Sequence, residues 1–170
     1  MRLLLILLAL LVGGAAWAQH MQPYAGQQKR EIKALSEEDV AGYLGGAGMG
    51  YAKAAELNGY PGPMHVLELG DRLGLTDEQK AAMRKLLDAH KADARAIGAK
   101  YVQSEREIEM LFRHGAAEQA KLAALVHQSA TLQGQYRVSH LETHRQALAL
   151  LTPDQITTYA KLRGYVTGDH

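Results

Sequence analysis

The sequence predicts an all-α fold: a long antiparallel helical hairpin with short N- and C-terminal helices, expected to pair as a dimer. Three observations carry this. Apolar residues recur at helical spacing along two stretches of about 35 residues each. A capping box opens the first stretch at Thr76-x-x-Gln79, and another follows the second at Thr152-Pro153-x-Gln155. No segment shows the sustained alternation of a strand.

The elements follow in order. Residues 1–18, "MRLLLILLALLVGGAAWA", combine Arg2, an apolar run from Leu3 to Val12 and a small-x-small site at Ala16-Trp17-Ala18. That is the anatomy of a secretory signal peptide cleaved near Ala18, and it predicts an exported protein. Residues 19–62 read as a flexible leader containing one short helix and a glycine-rich turn. Within it, Ser36 followed by Glu37, Glu38 and Asp39 reads as an N-cap with an acidic first turn, opening a helix through Leu44. "GGAGMG" (45–50) breaks that helix. It lacks GxGxxG spacing and no strand precedes it, so it reads as a turning connection rather than a dinucleotide loop.

The main helical domain spans 63–165, with 166–170 as a tail. Pro63 suits the first position of a helix expected to run to Leu73 and close at Gly74. The first arm carries its stripe on 83, 86, 87, 90, 94, 97, 101, 108, 111 and 112. Arg113-His114-Gly115 interrupts the pattern, which resumes on 122, 125, 126, 129, 132, 136, 140, 143, 147 and 151. A single hairpin extending about 50 Å cannot cover its own apolar stripe, so the short helices and a second copy of the chain are expected to share that task.

Composition excludes several classes. Without the signal peptide the chain has 18 basic and 18 acidic residues, a balance that offers no field for nucleic acid or an anionic membrane. There is no cysteine, so disulfides and thiolate metal sites are ruled out, and any transition metal must rest on His, Met, Asp or Glu. No nucleophile–base arrangement or phosphate loop is present, so no enzyme is expected. No organic cofactor is expected either.

What remains is histidine. His140 and His144 diverge by only about 40° around a helix and stand one turn apart, so two imidazoles there can share one ion. The order His140-Leu141-Glu142-Thr143-His144 is not the HExxH of a zinc protease, because Glu142 points about 200° away from His140. With the turn centred on 113–115, facing positions sum to 228–230, which sets His90 opposite His140. His65 lies on the short helix expected across the open end, with Glu68 one turn later. A histidine in a helix stripe is also an ordinary hydrogen-bonded core residue, and that reading stands beside the metal one. His114 and His127 read as solvated. Met64, Met83 and Met110 read as packing, and Met49 stays open.

The pentapeptides "LTDEQ" (75–79) and "LTPDQ" (151–155), with "HLETHRQALALLTPDQ" around the second, make the chain recognisable. Paired LTxxQ motifs flanking a helical hairpin resemble the Spy/CpxP family of periplasmic proteins, which overlaps the CnrX/ZraP-type heavy-metal sensor and resistance proteins. The resemblance covers about 63–165. It implies a dimeric cradle acting in envelope stress or metal homeostasis, with a divalent transition metal (zinc, copper or nickel) on hairpin histidines. Sensor-type members draw ligands from the first helix, the second helix and an i, i+4 pair before the second LTxxQ. His65, His90 and the His140–His144 pair match that layout. The alternative it implies is an ATP-independent chaperone whose apolar cradle holds unfolded clients. Implied partners are a second copy, such clients, or a membrane-bound signalling protein.

Overall fold

A computed structural model describes residues 23–165. The expected signal peptide (1–18) and the tail (166–170) lie outside the described residues. Six α-helices and no strand occur among the described residues: α1 (Glu37–Gly45), α2 (Lys53–Glu56), α3 (Pro63–Glu68), α4 (Asp77–Arg113), α5 (Gln119–Leu148) and α6 (Pro153–Leu162). None of them is long and apolar enough to cross a membrane.

The long arms are α4 and α5, packed as an antiparallel hairpin with its turn at His114–Gly115. Gly115 takes a φ of 64°, which glycine adopts without strain. Cross-hairpin bonds set the register: His90 to Ser139 (3.1 Å), the Gln79 amide to the Leu150 carbonyl (2.9 Å), and the Ser129 hydroxyl to Glu105. Stripe positions Met83, Ala94, Tyr101 and Leu111 on α4, and Tyr136, His140, Thr143 and Ala147 on α5, are buried as their spacing requires.

The two LTxxQ motifs meet at the open end. Each is a complete capping box, with Thr76 and Gln79 starting α4, and Thr152 and Gln155 starting α6. The Gln79 and Gln155 side chains then bond each other reciprocally through their amides, at 2.9 and 3.0 Å. One glutamine thus caps its own helix and ties the two helix starts together.

Two apolar clusters hold the molecule. Val66, Leu73, Leu75, Met83, Ala147 and Tyr159 join α3 and α6 to the open end. Ile32, Leu35, Tyr43, Ala94, Tyr101, Val102 and Tyr136 join α1 and the preceding segment to the middle of the hairpin. In chain order the histidine layer lies between them: 90 falls between 83 and 94 on α4, and 140 and 144 fall between 136 and 147 on α5. The helix α1 reaches α4 by backbone. A Cβ on Gly98 would come within 2.1 Å of the Tyr43 carbonyl oxygen, so only glycine permits this crossing.

The structure corrects the sequence reading at three places. The segment expected as a flexible leader is packed: Ile32 and Leu35 are buried, Lys33 pairs with Glu109, and Arg106 pairs with Glu31. The helix α3 ends at Glu68, not Leu73. Gly70 bonds back to Leu67, and a turn through Gly74 (φ 61°) directs Leu73 and Leu75 into the core. Near the tip, Phe112 and Val126 are exposed although their spacing places them in the stripe. Among the described residues the N-terminal segment reaches as far as Glu109 and Arg113 and leaves Phe112 and Val126 exposed.

Candidate metal centre

Each histidine of the central layer is anchored through Nδ1. His140 Nδ1–H donates to the Tyr136 carbonyl one turn back (2.9 Å), and His144 Nδ1–H donates to the Tyr60 carbonyl (2.8 Å). A carbonyl only accepts, so both neutral rings carry their proton on Nδ1 and leave the Nε2 lone pair free. His90 Nδ1 shares a hydrogen bond with the Ser139 hydroxyl. The rings of His90 and His140 meet edge to face, with centroids 4.4 Å apart. His140 is 4% exposed, and its Nε2 is buried with no hydrogen-bond partner. An orphaned acceptor of this kind ordinarily costs about 1–3 kcal/mol, so it calls for an explanation.

Burial favours the neutral form of His90 and His140. It pushes His90 down to about 4, with the neighbouring His140 and His144 adding to the effect and Asp93 opposing it. His140 is also lowered, chiefly by burial, against the raising influence of the Tyr136 and Ala47 carbonyls. Tyr136 supports His140 from below, ring on ring at 4.6 Å, and its hydroxyl donates to the Ala47 carbonyl at 2.6 Å. Tyr136 packs in turn with Tyr43 and Tyr51, whose hydroxyls are bonded to each other.

The sequence-predicted residues separate as follows. His90, His140, His144 and His65 all line one cavity of about 450 Å³ beneath the 45–50 loop. His65 is turned toward Glu68 (2.9 Å), and Glu68 is not part of that lining. Among the described residues, no three His, Asp or Glu side chains form a ready-made cage for an ion. Glu142 is committed to Arg145 and Gln146 outside the cavity, and Arg145 holds its carboxyl down at about 2. It is therefore unsuited to act as a protease base, as its helical phase indicated.

Sequence reasoning missed two contributors, Glu56 and Gly62, and left a third, Met49, open. Glu56 is a hub: it accepts from the Gly62 N–H and from the Tyr159 and Tyr165 hydroxyls, with His144 Nδ1 3.5 Å away. Gly62 makes room for His144, because a Cβ there would lie 2.9 Å from the ring. Met49 takes a φ of 46° at the cavity wall. None of these carried a spacing signal, whereas Tyr136, four residues before His140 in the stripe, did, and its ring lies 4.6 Å from that histidine.

A family model described as "LTXXQ motif family protein" matches residues 64–163. The chain belongs to the LTXXQ motif family. This is the Spy/CpxP-type motif, and membership supports a non-enzymatic periplasmic protein of that general type. No curated protein and no solved structure gives a significant match.

Proposed function

We propose that this LTXXQ protein handles a transition-metal ion in the periplasm, with the imidazoles of His90, His140 and His144 as its donors and His65 at the rim. The observation that carries this reading is the buried, unpartnered Nε2 of His140, whose tautomer the Tyr136 carbonyl fixes. Metal-bound histidines are oriented in this way, one ring nitrogen held by a carbonyl and the other left for the ion. A bound ion would be a Lewis acid held between the hairpin arms and the N-terminal cover. The chain's own residues fix ring orientation and exclude water. Metal homeostasis or envelope-stress signalling follows from such a site, with a membrane-bound protein as the receiver.

The test is metal titration of the mature protein followed by circular dichroism. Wild type should bind, and His140→Ala with His144→Ala should lose binding while remaining helical. A wild type that binds none of zinc, copper or nickel would remove this reading.

One observation favours a second role. Sharing His90 and Thr143 with the histidine cavity, a largely apolar groove of about 660 Å³ is also lined by Leu86, Ala89, Ile97 and Val138, with Val138 63% exposed. We propose that an unfolded client or a second copy of the chain would occupy it. Suppression of client aggregation without metal, undiminished in the double histidine variant, would support the chaperone reading. Sedimentation would report the dimer.

A further inference from the structure

We propose that the ion is copper(I), and that the thioether of Met49 is a ligand beside the imidazoles of His90 and His140. The inference rests on the metal reading above and narrows it from transition metals in general to a soft monovalent ion.

Met49 is the one non-glycine residue among the described residues with a positive φ, 46°. It stands between Gly48 and Gly50 in "GGAGMG", where another glycine would sit without strain. Holding an L-residue there costs on the order of 1 kcal/mol, and such strain concentrates at functional positions. Core packing does not offset it, because Met49 is 38% exposed. Its sulfur is nonetheless seated: a Cβ on Gly42 would lie 2.8 Å from Met49 Sδ, so glycine at 42 is what leaves room for it. The loop is also tied to the histidine layer, since the Ala47 carbonyl accepts from the hydroxyl of the same Tyr136 whose ring packs against His140.

The donor chemistry selects the ion. The cavity that Met49 shares with His90 and His140 contains one carboxylate, Glu56, and it is occupied by Gly62, Tyr159 and Tyr165. Lys53 and Lys91 also line the cavity. Imidazole alone suits zinc, nickel and copper alike, but a dication is repelled by two ammonium groups twice as strongly as a monocation, and a thioether is a soft donor. Neutral imidazole with thioether is the donor set that suits copper(I).

The experiment is anaerobic titration of the metal-free mature protein with copper(I) against bicinchoninate, with zinc(II) against a chromophoric indicator in parallel. Copper K-edge absorption then reads the donors. Wild type should take up one copper(I) per chain with a sulfur scatterer. Met49→Leu should weaken binding by at least about tenfold and remove the sulfur signal, whereas Met64→Leu should change neither. Met49→Gly, which relieves the backbone strain, should be as stable as wild type or more so and still lose copper; a purely structural methionine would not behave in this way. Equal copper(I) binding by wild type and Met49→Leu, or loss of sulfur only in Met64→Leu, would overturn the Met49 assignment. Tighter His140-dependent zinc binding would overturn the copper assignment. Both results leave the metal reading intact, whereas no binding of either ion removes both proposals.

Discussion

His90 and His140 are imidazoles that the fold keeps uncharged, and this makes the metal-free protein acid-sensitive. His90 sits near 4 when folded, against about 6.5 for a free histidine. Above pH 6.5 neither state carries the proton and stability is full. Between 6.5 and about 4 the unfolded chain takes up a proton that the folded one refuses, so stability falls as pH falls. Lys91, His140 and His144 deepen the effect, and Asp93 opposes it. The melting temperature of metal-free protein should therefore decline across that window, and His90→Gln should flatten the slope. Two glycines give a contrast at the same scale. Gly98→Ala should destabilise by several kcal/mol or displace α1, because its methyl would meet the Tyr43 carbonyl. Gly134→Ala, with nothing within 4 Å, should stabilise by about 0.5–1 kcal/mol through helix propensity. Chemical denaturation of the two variants checks both signs.

At the scale of elements, the paired LTxxQ motifs are one device. Gln79 and Gln155 each satisfy their own helix start and then bond each other. Replacing either with alanine should cost about 1–2 kcal/mol. The double variant should fall short of the sum by roughly 0.5 kcal/mol or more, which a double-mutant cycle on denaturation midpoints would measure. These caps were legible in sequence because capping is local, and so was the hairpin register, because one break at 113–115 fixes it. That register sets His90 against His140, and the two rings meet with centroids 4.4 Å apart. The early end of α3 was not legible. Its pattern continues past Gly70, and only burial of Leu73 and Leu75 in the core favours the turn. Ile32 and Leu35 were missed for a related reason: two apolar residues in a polar segment have no period, and their burial depends on a surface 60–70 residues away. Met49 was legible as a residue but not as a conformation.

Across the described residues, the N-terminal segment and α1 cover the middle of the hairpin while Phe112 and Val126 near the tip stay exposed. The double variant Ile32→Ala with Leu35→Ala should lose about 4 kcal/mol or more, as large-to-small changes in a core do, and loosen the 45–50 loop over His140. Hydrogen exchange of that loop would show it. The same cover closes one side of the histidine layer, so metal uptake and docking of the N-terminal segment should be coupled. The most direct measurement is the metal content of untagged protein purified from the periplasm, wild type beside His140→Asn, with helicity recorded for both. The expected result is one transition-metal ion per wild-type chain and none in the variant at unchanged helicity. Metal-free wild type that cannot be loaded afterwards, or a variant that retains its metal, would contradict a metal centre in the hairpin.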